Sequence, residues 1–132
     1  MPSIFTDVGK NWVADKMRES GLAAATIFAN RIAWGTGAVV PAQATTAIST
    51  ETTPARATGV MTGGTTVTTG DTFQCVGTLA ADAGKTITNA GLFDAATTGD
   101  LVLTGDHAGV PLLTGDSIEY TFKLQFKHVG QA

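Results

Sequence analysis

Ser117-Ile118-Glu119-Tyr120-Thr121-Phe122-Lys123-Leu124-Gln125-Phe126-Lys127 decides the fold class. Ile118, Tyr120, Phe122, Leu124 and Phe126 stand at every second position, and Glu119, Thr121, Lys123, Gln125 and Lys127 fill the gaps. Side chains of an extended chain point alternately to opposite faces, so this stretch reads as a strand with one buried and one wet face. Residues 72–80 repeat the pattern, with Phe73, Cys75, Gly77 and Leu79 facing one way and Gln74, Val76 and Thr78 the other. Further strands are expected at 26–34, 56–61 and 85–93, with Ile87 and either Leu92 or Phe93 buried. Residues 101–104 and 110–113 are two short apolar runs, Thr62-Gly63-Gly64 reads as a turn, and 65–68 as a short strand or hairpin tip. No helix-length segment lies between these strands, which disfavours a parallel α/β fold. The expectation is an all-β antiparallel sandwich, jelly-roll-like, with one N-terminal α-helix.

The turns carry a signature. Thr-Gly-Asp occurs at 69–71, 98–100, 104–106 and 114–116. Glycine adopts positive φ without steric cost, and aspartate bonds the backbone two residues on, so the tripeptide reads as punctuation between strands. The competing reading is a cation site. Calcium requires six to eight converging oxygens, whereas Asp94, Asp100, Asp106 and Asp116 are spread over several turns with no dense acidic run.

Ahead of the strands, Ile4, Val8, Trp12, Val13 and Met17 follow the spacing of one helical face, with Thr6 or Asp7 as N-cap and Gly21 as the residue past the end. Residues 1–25 are expected to form a helical arm and 26–132 a β-sandwich domain. The helix packs on its own domain or docks on a neighbouring subunit. Residues 38–54 form a long, low-complexity loop in which Pro41 and Pro54 resist inclusion in a central strand. Such a loop is either disordered or ordered by a partner.

The chain has 132 residues, one domain by size, and a net charge of −3. Charged residues make up only 14%, against about a quarter in ordinary domains, and no basic stripe is present, so binding to nucleic acid by phosphate neutralisation is not expected. No run of 18 apolar residues and no signal-peptide pattern is found, so no membrane is expected either. Cys75 is the single cysteine and reads as a small core residue. Gly84-Lys85-Thr86 ends like a phosphate loop, but Leu79 stands where the pattern requires glycine, and the following residues read as strand. His107, read in a turn, and His128, at the end of the last strand, lack a nucleophile context. No enzyme, cofactor or metal is expected. Trp34, ahead of Gly35-Thr36-Gly37, either caps the core or stacks on a sugar ring.

Three segments, Ile32-Ala33-Trp34-Gly35-Thr36-Gly37, Thr86-Ile87-Thr88-Asn89-Ala90-Gly91-Leu92-Phe93-Asp94 and the run from Gly115 to Phe126, resemble small structural proteins of tailed bacteriophages. The chain looks most like a capsid decoration, or cement, protein. Its Gly91-Leu92-Phe93-Asp94 segment is also similar to tail-fibre proteins. The resemblance covers most of the chain after residue 26, and its motifs are short and structural. It implies a virion protein, made in the host cytoplasm, that binds between capsomers at the capsid surface and supplies no catalytic residues. The implied partners are the major capsid protein and further copies of the chain, as a homo-oligomer (dimer or trimer). Val8, Trp12 and Met17 on the helix, Trp34, and Val39, Val40 and Ile48 in the loop are the expected contact residues. The alternatives are a tail or tail-fibre component, and a carbohydrate-binding module with exposed aromatics such as Trp34 along a groove.

Overall fold

The computed structural model describes residues 3–9, 29–38, 40–64 and 72–125. It contains β1 (Ser3–Phe5), β2 (Arg31–Gly35), β3 (Ala57–Thr58), β4 (Val60–Gly64), β5 (Thr72–Ala80), β6 (Lys85–Phe93), β7 (Leu101–Leu112) and β8 (Ser117–Gln125). Five strands pair in the order β1-β7-β6-β2-β3 and three in the order β4-β5-β8, all antiparallel. The protein is an all-β sandwich. Ile32, Trp34, Ile87, Leu92 and Val102 of the larger sheet and Cys75, Leu79, Tyr120 and Phe122 of the smaller share one buried cluster.

β8 alternates as its sequence demands, with Tyr120 and Phe122 buried between exposed Glu119, Thr121 and Lys123. β2 and β6 do not alternate, because both of their faces are covered. Ala33, Phe93 and Leu101 form a second cluster with Ile48, which the 38–54 loop contributes. That loop is therefore ordered by its own sheet. Ile48 is 6% exposed, and burying an isoleucine contributes about 1.5–3 kcal/mol.

The stretch 56–61 is not one strand. The chain leaves the five-stranded sheet after Thr58 and joins the smaller sheet at Val60, turning the corner at Gly59. A Cβ at Gly59 would stand 2.4 Å from Cys75 Sγ, so only glycine lets the corner approach β5 this closely. Thr62-Gly63-Gly64 belongs to β4 rather than to a turn, since it pairs with Phe73 and its neighbours on β5.

The two apolar runs 101–104 and 110–113 are likewise parts of one region: β7 continues through 105–109 to Leu112. Thr104-Gly105-Asp106 thus lies inside a strand, where Gly105 pairs with Ser3 on one side and Ala90 on the other. The units at 98–100 and 114–116 do turn the chain. Gly99 and Gly115 have φ of 74° and 93°. Asp94 Oδ1 accepts from the Asp100 amide at 2.7 Å, and Asp116 Oδ2 from the Leu113 amide at 2.8 Å. The unit at 69–71, the 65–68 segment, Phe126, Lys127 and His128 lie outside the described residues.

At the N-terminal end, residues 7–9 are helical and Thr6 caps them: its Oγ1 accepts from the Gly9 amide at 3.0 Å and donates to Leu101 O at 2.7 Å. Ile4, assigned by its spacing to the helix face, instead belongs to β1 opposite Thr104. The remainder of the expected arm lies outside the described residues.

Candidate functional site

Among the described residues, one side of the sandwich is open. β8 is the outer strand of its sheet, and β7 runs seven residues beyond Gly105, its last partner position on β1. His107, Ala108 and Val110 of β7 and residues 117–121 of β8 border a shallow groove there, of roughly 700 Å³. A bulge creates its upper wall. Ile87 pairs with Val110 but Asn89 with Asp106, so His107, Ala108 and Gly109 stand opposite Thr88 alone. A bulge bends its strand and re-aims a side chain. Here it turns His107 toward β8, where Nε2 lies 3.0 Å from the Tyr120 hydroxyl. Nδ1 lies 2.8 Å from Ala108 O. A carbonyl only accepts, so Nδ1 carries a proton, and in the neutral ring Nε2 accepts the phenol proton. Burial pushes the Tyr120 hydroxyl above its ordinary pKa, which keeps it protonated and donating. The pair is a strut between the sheets; His107 sits in a strand and not, as its sequence context suggested, in a turn.

The expected contact residues separate into three groups. Trp34 is fully buried, with Nε1 donating to Thr53 O at 2.9 Å, and Ile48 is core; neither offers a surface to a partner or a sugar in this fold. Val40 is 83% exposed and Val8 half-buried. Trp12, Met17 and Val39 lie outside the described residues. Val60 and Leu113 are also largely exposed aliphatics.

The loop carrying Val40 is held from below. Asn89, 1% exposed on β6, accepts from the Ser49 amide at 3.0 Å and donates to Ser49 O at 3.1 Å. Gly37 N and Thr36 N donate to Ser49 O and Thr50 O, both at 3.1 Å. At the next turn Arg56 grips Glu51 with two bonds of 2.9 Å, donates to Ala95 O and Thr98 O at 3.0 and 2.7 Å, and stacks 3.6 Å over the Phe93 ring. A forked guanidinium serves all five contacts at once.

Other reactive groups are similarly engaged. Lys85 Nζ lies 2.7 Å from Asp82 Oδ1 and also bonds Thr53 O, and that lysine holds the Asp82 carboxyl below the usual carboxylate range. Gly84-Lys85-Thr86 opens a strand, not a helix, so it lacks the geometry of a phosphate loop. Burial pushes the Cys75 thiol up to about 11. Among the described residues, no three His, Cys, Asp or Glu side chains are grouped to hold a metal ion. Comparisons with protein-family models, with curated proteins and with solved structures return no match.

Proposed function

We propose that this protein acts by surface contact, as a decoration protein that binds between capsomers of a tailed-phage capsid and stabilises the shell. One observation carries the reading: the division of labour among its side chains. Among the described residues, several of the groups suited to proton transfer or charge pairing are spent on internal bonds, as in His107–Tyr120, Lys85–Asp82 and Arg56–Glu51. What the described residues offer to other molecules is an open sheet edge, the groove beside it, and aliphatics such as Val40, Val60 and Leu113. The segments that resemble phage structural proteins supply β2, β6 and β8, which are the frame of the sandwich. A weak contact repeated over a closed lattice gains through avidity, and binding the assembled shell better than loose subunits stabilises the shell.

The test uses virions of the phage that encodes the chain. Cryo-electron microscopy should place its density on the head lattice, and particles lacking it should release DNA at a lower temperature, restored by adding the purified protein. Density at the tail would favour the tail-component reading. Absence from the particle would refute both. The carbohydrate-binding alternative loses its named platform, because Trp34 is enclosed.

A further inference from the structure

We propose that β8 pairs with β8 of a second copy, antiparallel about a two-fold axis beside Thr121, joining two three-stranded sheets into one of six strands. The edge is available: β8 pairs with β5 on one side, and among the described residues no strand pairs with the other. The strand is also complementary to itself. Around Thr121, Tyr120 mirrors Phe122, Glu119 mirrors Lys123, Ile118 mirrors Leu124, and Ser117 mirrors Gln125. An antiparallel pair centred on Thr121 sets each residue opposite its mirror in the other copy. Two Glu119–Lys123 pairs then form on the exposed face, one on each side of the axis. On the inner face aromatic meets aromatic and aliphatic meets aliphatic.

The charges favour this occupant over any unrelated strand. Within its own sheet Glu119 faces Thr78 and Lys123 faces Gln74, so neither has an opposite charge across β5. Unlike charges directly opposite across an antiparallel pair attract, and like charges repel. A parallel pairing, or one slipped by two residues, forfeits at least one of the two matches. Ile118 and Leu124 are half-buried at the margin of the core, and the pairing covers each with its mirror. The contact is isologous, so it closes as a dimer and does not propagate into a fibre.

Sedimentation of the full chain tests the pairing. The protein should associate to a dimer with rising concentration. Glu119→Lys or Lys123→Glu alone converts two attractive pairs into two repulsive ones and should weaken the dimer about tenfold. The double swap should return the affinity to within about threefold, because opposite charges again face each other. Both single changes lie on an exposed face, so folding is not at stake. Thr121→Cys gives a second readout: across the axis opposed Cβ atoms lie about 4.5–5.5 Å apart, so a small shift of the edge strands brings the two new thiols to disulfide range. Glu119→Cys, displaced from the axis, should cross-link far less. A monomer at every concentration, a double swap that fails to rescue, or equal cross-linking at both positions overturns the proposal. In each of those cases Glu119 and Lys123 only guard a bare edge against pairing. The dimer does not depend on the capsid reading, and sedimentation of free protein fails or succeeds separately from particle location.

Discussion

Replacing Asn89 with alanine tests whether one buried amide holds the 38–54 loop against the sheet. Of the bonds that the substitution removes, two hold Ser49, from its amide to Oδ1 and from Nδ2 to Ser49 O; the others, to Thr88 Oγ1 and at 3.4 Å to Gly37 O, are left out of the sum. Each neutral bond contributes about 1 kcal/mol net. Ser49 O keeps the Gly37 amide, so it remains satisfied. The Ser49 amide loses its acceptor, which adds about 1 kcal/mol at a half-buried site. The sum is about 3 kcal/mol, or a melting temperature lowered by roughly 10 °C for a chain of this size. Thermal denaturation gives the global value. Amide hydrogen exchange at Ser49 gives the local one, and protection there should fall. Ile48→Ala in the same loop should cost about 2–4 kcal/mol. If both residues pin one loop, the double variant loses less than the sum, because a loop already released has no second anchor to lose. A loss below about 1 kcal/mol with Ser49 protection unchanged would refute the reasoning.

Two further outcomes are expected. Gly59→Ala drives a methyl against Cys75 Sγ and should cost about 1–3 kcal/mol by chemical denaturation; adding Cys75→Ala removes the sulfur and should recover part of that loss, whereas strictly additive effects would contradict the close approach. Stability should also decline in alkali. The Cys75 thiol titrates at about 11 when folded against an ordinary 9.0, and Tyr120 is shifted in the same direction. Unfolded chains therefore lose these protons first. The contribution is whole below pH 9 and falls as pH rises toward 11, where denaturation midpoints should drop and Cys75→Ala should soften the decline.

Much of the sandwich was legible in the chain, and the failures have physical causes. β8 declared itself because it has one covered face, so burial and periodicity coincide over its centre, and β5 follows the same pattern at Cys75 and Leu79, which are buried. β6 kept its bounds although its burial is nearly continuous, since a loop residue, Ile48, covers the second face. Thr104-Gly105-Asp106 looked like its neighbours because local turn chemistry is the same. Pairing on both sides, with Ser3 and Ala90, overrides it. Gly59 was read as strand because a corner between sheets has no signature beyond a glycine. The groove was not legible, for it depends on strand order and on a bulge, and neither leaves a mark in composition. Ile48 was expected at a surface because apolar residues in loops suit contact, and Trp34 either there or capping the core; a domain of this size spends both on its own core.

The pairing of β5 with β8 brackets the whole of β6 and β7. Thr72 meets Gln125 only after the intervening chain has doubled back. Ala81 shows how that closure is made cheap: it donates to Asp116 O at 2.7 Å and accepts from the Gly115 amide at 2.8 Å, at the base of the β6–β7 hairpin. Once that hairpin has zipped, the ends of β5 and β8 are already neighbours, and the entropy of closing a long loop shrinks to that of a short one. The order of assembly expected from this is nested, inner hairpin first and outer strands last. Damage to the inner hairpin should slow folding more than equal damage to the outer pair.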